Sequence, residues 1–189
     1  FSIRPFLVRY RSKCLKLLRR WAGDPNPHVR RLVSEGTRPR LPWAMRLTEF
    51  QSNPQLSLPL LEMLKDDAEL YVRRSVANHL GDIAKDHPDV VFDVCDRWLA
   101  EAQQASGDVA KNRRWVIRHA VRHPAKTGVE RAVEIRERAG WAAYRDELAS
   151  GIRSGRRRLP RPIRGRRASR AGRRREPGGG RSTLQRCAR

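Results

Sequence analysis

The stretch "DPNPHVRRLVSEG" (Asp24–Gly36) is the most informative about the fold, because a similar pattern of residues occurs twice more along the chain. The second copy is "DAELYVRRSVANH" (Asp67–His79), and the third is "RRWVIRHAVRH" (Arg113–His123). When their central valines are aligned, the copies are offset by 43 and 44 residues. A period of about 40–47 residues with two helices per unit is typical of HEAT-like solenoids.

Apolar residues recur at helical spacing within each copy, as Val72, Val76 and Leu80 do in the second. A leucine-rich or valine-rich helix precedes each copy, and no stretch alternates apolar and polar residues between turns as a strand would. The sequence therefore predicts an all-α fold, a HEAT-like solenoid of paired antiparallel helices. The predicted repeats lie near residues 12–36, 55–84 and 89–123.

Charge divides the chain into two parts. The whole chain has 42 Lys plus Arg against 20 Asp plus Glu, a net charge of +22, and the tail 151–189 alone has 15 Arg and one acid. We expect a helical domain over 1–150 and a disordered Arg-rich tail over 151–189, because the tail has too few apolar residues to offset the entropy of ordering. Two origins of the tail stay open: a basic segment that adds nonspecific nucleic-acid affinity, or out-of-frame translation of a GC-rich gene.

Composition also limits the compartment. The three cysteines are widely separated and have no CxxC or Cys/His ligand spacing, which favours reduced thiols without a metal site. No apolar run is long enough to span a membrane, and no leader resembles a signal peptide. We expect a cytoplasmic bacterial protein, associated with the nucleoid when on DNA. The chain begins at Phe1 within an apolar segment, so we also expect a fragment whose start lies upstream.

Arginines recur at one position of the second helix in each repeat. Because equivalent helices of a solenoid lie side by side, such residues form a stripe that suits a phosphate backbone. The alternative is that one arginine of each pair braces its own or a neighbouring repeat through Asp24 or Asp67. The arginines of the stripe are Arg30, Arg31, Arg73, Arg74, Arg113, Arg114 and Arg118.

A segment with unusual chemistry, "SEGTRPRLPWAMRL" (Ser34–Leu47), follows the first of these helices. Gly36 predicts the end of the helix, and two prolines keep the helix from resuming, so we expect an irregular loop at the edge of the basic surface. Trp43 is either a functional aromatic or a small core residue beneath the loop. Glu35 is either a functional carboxylate or a salt-bridge partner of Arg38 or Arg40.

These stretches resemble a known family. "WAGDPNPHVRRLVSEGTRPRLPWAMRL" (Trp21–Leu47), "DDAELYVRRSVANHLGDIAKDHPDVV" (Asp66–Val91) and "RRWVIRHAVRHPAKTG" (Arg113–Gly128) are similar to the AlkC/AlkD-type DNA alkylation repair glycosylases, and most to the AlkC branch. The resemblance implies a helical solenoid that excises N3- and N7-alkylated purines from duplex DNA. The family pattern also has an acid directly before "FSIRPF", upstream of Phe1.

The chemistry that the resemblance implies suits the loop. An alkylated purine is cationic and leaves readily, so the enzyme must mainly stabilise an oxocarbenium-like sugar, which a carboxylate does. The resemblance implies that Glu35 is the catalytic or water-positioning carboxylate and Trp43 the aromatic against the damaged nucleotide. The resemblance also implies that Arg38 and Arg40 bind phosphates, in addition to the seven arginines of the stripe. No cofactor or metal is implied, and we expect a monomer.

A second class of function stays open: a noncatalytic HEAT-like scaffold that binds nucleic acid or a protein through its basic face. Such a scaffold would bind DNA in a salt-sensitive way and release no base. A metal-dependent or nucleophilic hydrolase has less support, because His79, His119 and His123 lie on repeat helices without carboxylates at metal spacing.

Overall fold

The computed structural model describes residues 2–146, which form helices and no strand, so the all-α prediction is confirmed for this part of the chain. A 3-10 turn at Pro54–Leu56 lies between α4 and α5, and residues 141–146 are also helical. The α-helices are α1 (Arg4–Arg9), α2 (Arg11–Trp21), α3 (Pro27–Thr37), α4 (Thr48–Ser52), α5 (Leu58–Leu64), α6 (Leu70–Ile83), α7 (Pro88–Gln104), α8 (Gly107–Ala120), α9 (Arg122–Lys126) and α10 (Glu130–Arg138).

Three helices lie side by side and form one layer. Helix α6 packs against α3 on one side and α8 on the other, and these are the second helices of the three predicted repeats. The first helices, α2, α5 and α7, pack against them from behind. This arrangement follows from the 43- and 44-residue offsets, because each unit buries its apolar face against the next.

The core lies between these layers. Val72, Val76 and Leu80 are all fully buried, so the spacing that predicts α6 also gives its inward face. Trp98 of α7 is the largest fully buried side chain, and its indole nitrogen donates to Glu62 Oε2 at 2.9 Å. A buried tryptophan contributes a large apolar area, and its indole N–H needs a hydrogen-bond acceptor, which Glu62 supplies.

The end of α3 corrects one expectation. Gly36 lies inside the helix, which continues to Thr37 and stops at Arg38, the residue before Pro39. The reason for glycine is close packing: a Cβ on Gly36 would lie 2.8 Å from Ile3 Cγ2. The segment before α1 therefore touches the last turn of α3, directly beneath the loop that follows.

The described part of the chain includes no helix with the length and apolar character needed to cross a membrane. The predicted disordered tail, 151–189, lies outside the described residues, and the domain division at residue 150 stays a prediction.

Candidate functional site

Helix α6 carries a polar row that runs from exposed Arg74 through half-buried Asn78 to buried Asp82. Arg74, Asn78 and Asp82 are spaced four residues apart and so lie above one another on the helix surface. Arg38, just after α3, reaches the Asp82 end of this row, while Arg122, at the start of α9, donates to Asn78 Oδ1 at 3.0 Å. Residues from all three repeats therefore meet along α6.

A carboxylate pair lies at one end of the row. Arg38 Nη1 lies 3.0 Å from Glu35 Oε1, and Arg38 Nη2 lies 2.8 Å from Asp82 Oδ2. The Glu35 side chain keeps 18% of its exposure and that of Asp82 keeps 5%. The salt bridge between Glu35 and Arg38, one of the two alternatives for Glu35, is thus present. Sequence analysis did not find Asp82, because this residue joins the site through Arg38, which is 44 residues away in the chain.

Buried polar residues support the carboxylate pair from below. Ser75 Oγ donates to Glu35 Oε2 at 2.7 Å. His79 Nδ1 lies 3.0 Å from the Ser34 carbonyl oxygen, which only accepts, so this nitrogen carries the proton. Burial, and then the charge of Arg38, lowers the pKa of His79 to about 3. A neutral imidazole therefore lies beneath the site at physiological pH.

Trp43 lies at the tip of the loop between α3 and α4. Its side chain is 100% exposed, which removes the alternative of a small core beneath the loop. Its φ is +61°, a left-handed conformation that bulky residues rarely adopt. The base of the loop is fixed, because Leu47 is buried and its amide donates to the Pro39 carbonyl at 3.3 Å.

The first arginine of each predicted pair is used inside the protein. Arg30 pairs with Asp67 at 2.6 Å, and Arg113 pairs with Asp66 and Glu101. Arg73, the first arginine of the pair in α6, donates to the carbonyls of Asp67 and Ala68. These contacts favour the brace alternative for Arg30, Arg73 and Arg113.

The second arginines are more accessible. Arg74 is exposed and Arg114 half-buried, and neither has a hydrogen bond or ion pair within residues 2–146. Arg31 lies 4.5 Å from the centre of the Tyr71 ring and 3.5 Å from Glu35 Oε1. Arg118 donates to the Ala139 carbonyl at 2.5 Å.

Arg40, the other predicted phosphate anchor, has a different carboxylate partner from Arg38. It forms an ion pair with Asp86 at 2.5 Å, and this contact raises the pKa of Arg40 while the same guanidinium lowers the pKa of Asp86. Gln51 donates to the same carboxylate. Arg40 therefore ties the loop to the end of α6 rather than presenting an unpaired charge.

A cation–aromatic cluster, which the sequence did not reveal, lies at the other end of the row. The rings of Trp115 and His119 stack at 4.8 Å, and the Arg136 guanidinium lies 3.5 Å from the centre of the Trp141 ring. Burial, and then Arg122, Arg74 and Arg136, lowers the pKa of His119 to about 4. The cluster is defined by Trp115, His119, Arg122, Arg136 and Trp141.

No group of three or more metal-ligating side chains occurs in the described range 2–146. The site along α6 thus has a carboxylate pair at one end, of which Glu35 is the more exposed, and arginines along its length, while an exposed indole lies on the loop that begins at Arg38. This arrangement can bind a polyanion and place negative charge against a developing cation.

Comparisons with known proteins identify a family for the chain. A family model described as "DNA alkylation repair enzyme" matches residues 2–123. The uncharacterized protein YhaZ of Bacillus subtilis is 42% identical over 135 residues, which is 71% of this chain and 36% of that protein. The alkylpurine DNA glycosylase AlkC of Pseudomonas fluorescens, solved with DNA containing an abasic site analog, has a TM-score of 0.63 and 44% identity. That match covers 71% of this chain and 36% of the solved one, so the chain spans about a third of each relative.

Proposed function

Because the chain belongs to the DNA alkylation repair enzyme family, we propose that it is a DNA glycosylase which excises N3- and N7-alkylated purines from duplex DNA. The similar Pseudomonas protein is an alkylpurine DNA glycosylase, and its structure includes DNA with an abasic site analog. We propose that this chain binds such DNA as a monomer and is found with the bacterial nucleoid.

The observation that carries this proposal is the pair of carboxylates, Glu35 and Asp82, joined by the guanidinium of Arg38, from which the loop with the exposed Trp43 begins. Loss of a cationic purine leaves positive charge on the deoxyribose, and fixed negative charge nearby stabilises that transition state. Glu35 is the more exposed carboxylate and is therefore the one we assign to the sugar. Asp82, held by Arg38 and by Lys85 at 3.1 Å, keeps Arg38 in place.

Trp43 supplies an aromatic surface for the damaged nucleotide. An electron-rich indole face attracts a cationic purine more strongly than a neutral one, which provides selectivity for the lesion. Its full exposure and left-handed backbone place the ring outside the protein surface, where a duplex can meet it.

The DNA backbone would lie along α6. The exposed and half-buried arginines on and beside α6 suit phosphate oxygens, whereas Arg30, Arg73 and Arg113 already have partners inside the fold. Arg38 and Arg40 also have carboxylate partners, so we propose that they shape the site and reach phosphates only secondarily. The proposed phosphate contacts are Arg31, Arg74, Arg114, Arg118, Arg122 and Arg136.

Release of methylated bases tests this function. Duplex DNA treated with a methylating agent is incubated with excess protein, and free N3-methyladenine and N7-methylguanine are measured over time. We expect Glu35→Gln, which keeps the shape and removes the charge, to slow release on the order of 100- to 1000-fold without weakening binding to undamaged DNA. Glu101→Gln is the matched control, because it removes a carboxylate held by Lys65 and Arg113 on α7, away from the row.

Wild-type rates in Glu35→Gln would exclude Glu35 from the chemistry and leave Asp82 as the remaining carboxylate of the pair. A noncatalytic DNA-binding scaffold is the second candidate, and one observation favours it: Glu35 is already contacted by Arg38, Arg31 and Ser75. Salt-sensitive binding without release of any methylated base from the wild-type protein would establish the scaffold instead.

A further inference from the structure

Arg4 is a buried arginine whose bonds are made to the backbone. It begins α1, 1% of its surface is exposed, and its Nε donates to the Met45 carbonyl at 2.7 Å. Its Nη1 donates to the carbonyls of Gly36 at 3.1 Å and Arg38 at 2.8 Å. No carboxylate lies within ion-pair distance of Arg4 among residues 2–146, so its directed contacts are these three oxygens.

The three carbonyls frame the site. Gly36 and Arg38 follow Glu35 at the end of α3, whereas Met45 lies on the returning side of the loop that carries Trp43. One guanidinium therefore joins the two sides of the loop at its base. The end of a helix leaves carbonyls without partners, and a cation is favourable there.

Glu35 is fixed from both directions. The carbonyl before it, of Ser34, accepts from His79, and the carbonyl after it, of Gly36, accepts from Arg4. Burial, and then the charge of Arg38, lowers the pKa of Arg4, while the charge of Asp82 raises it. An apolar side chain of the same volume would avoid burying a charge but would leave the three carbonyls without this donor, so what arginine adds is its hydrogen bonds.

We infer that Arg4 is a positioning residue, which sets the places of Glu35 and Trp43 through the three carbonyls that it holds. The roles of those two residues rest on the proposed function, but their placement by Arg4 does not. Lysine keeps the charge but donates from a single nitrogen, so it cannot reproduce the planar fork that reaches both sides of the loop.

The test compares Arg4→Lys with the wild-type protein by two readouts. The first is the indole N–H signal of Trp43 in nitrogen-15 correlation spectra, identified by its loss in Trp43→Phe. We expect this signal to shift and its heteronuclear NOE to fall, while the signal of buried Trp98 stays in place. The second is single-turnover release of methylated bases at saturating protein, which we expect to fall on the order of 100-fold, with affinity for undamaged DNA kept within about twofold.

Arg73→Lys is the matched control for the first readout, because Arg73 is also a buried guanidinium that donates to two carbonyls, of Asp67 and Ala68, away from the loop. It should leave the Trp43 signal unchanged. If Arg4→Lys does not fold, Arg4→Gln, which removes the buried charge and keeps one amide donor, takes its place with the same expectations.

An unchanged Trp43 signal in a folded Arg4 variant would overturn the inference. A moved signal with an unchanged rate would support the placement of the loop by Arg4 and contradict the roles assigned to Glu35 and Trp43. A wild-type protein that releases no base contradicts the proposed function, while the Trp43 signal still decides whether Arg4 positions the loop.

Discussion

Trp43 combines two properties that seldom occur in one residue: a left-handed backbone and a fully exposed aromatic side chain. A bulky residue in this conformation costs on the order of 1–2 kcal/mol, and complete exposure means that no packing of the ring compensates for it. Strain of this kind persists where the surroundings determine the backbone, and here Arg4 and buried Leu47 hold the base of the loop.

Replacing Trp43 should therefore separate stability from function. Asparagine tolerates the left-handed region, so we expect Trp43→Asn to leave the free energy of unfolding unchanged or to raise it by up to about 1 kcal/mol. We expect its release of methylated bases to fall at least about tenfold, because the cationic base loses its aromatic partner. Chemical denaturation and single-turnover release measure the two effects.

Trp43→Phe serves as the control, since it keeps both the strained backbone and an aromatic face, and it should retain most of the rate. A clear loss of stability in Trp43→Asn would mean that the indole braces the loop, and an unchanged rate would remove it from contact with the lesion.

Among the elements, the paired arginines of α3 and α6 show how a repeated pattern acquires two uses. Successive helix residues point about 100° apart, so one of two neighbours faces the adjoining turn while the other faces outward. Arg30 donates to the carbonyls of Asp24 and Pro25, and Arg73 donates to those of Asp67 and Ala68, which lie six and five residues before each arginine. The inner arginine thus closes the turn that precedes its own helix.

The pair in α6 allows this division to be tested within one helix. We expect Arg73→Ala to lower the free energy of unfolding by about 1–3 kcal/mol, because the buried Arg73 side chain is lost and the carbonyls of Asp67 and Ala68 lose their donor. Exposed Arg74 has no partner within 2–146, so Arg74→Ala should stay within about 0.5 kcal/mol of wild type while it weakens DNA binding. Thermal denaturation and fluorescence anisotropy with a labelled duplex provide the measurements, and equal loss of stability in both variants would make Arg74 a second brace.

These helices also show what the sequence could predict. Helix type and pairing were predictable, because Val72, Val76 and Leu80 follow the helical period and the same pattern recurs after 43 and 44 residues. The roles of Asp82 and Arg4 were not predictable. Each contacts a partner more than 30 residues away, and the local spacing of residues does not indicate such contacts. The predicted end of α3 was wrong for a related reason. Glycine is required at position 36 because Ile3 packs closely against it, which is a tertiary contact, and not because the helix ends there.

For the molecule as a whole, most charge in the described part is neutralised internally. Arg30, Arg38, Arg40 and Arg113 all face carboxylates, and Arg131 and Arg138 pair with Asp93 and Asp96 of α7. The net charge of +22 is therefore a poor guide to where DNA would bind. Within residues 2–146, arginines without carboxylate partners at hydrogen-bond distance include Arg74 on α6 and Arg122 beside it, but also Arg9, Arg19 and Arg20 on α1 and α2.

This distribution predicts how binding responds to salt. Each phosphate neutralised by a basic side chain contributes about 0.9 to the slope of log affinity against log salt. We therefore expect the double variant Arg74→Ala/Arg122→Ala to bind undamaged duplex DNA with a slope that is shallower by about 1.8 than that of the wild-type chain. Because both proteins carry residues 147–189 unchanged, any contribution of those residues cancels in the difference.

The matched control is Arg131→Ala/Arg138→Ala. It removes the same number of charges from α10, where the two arginines already pair with Asp93 and Asp96, and it should leave the slope unchanged. Anisotropy titrations between about 50 and 200 mM salt measure the slopes. Equal slopes in the wild-type chain and the Arg74/Arg122 variant would mean that the DNA does not bind along α6. Equal reductions of the slope in both double variants would mean that net charge, and not the position of the arginines, determines the salt dependence.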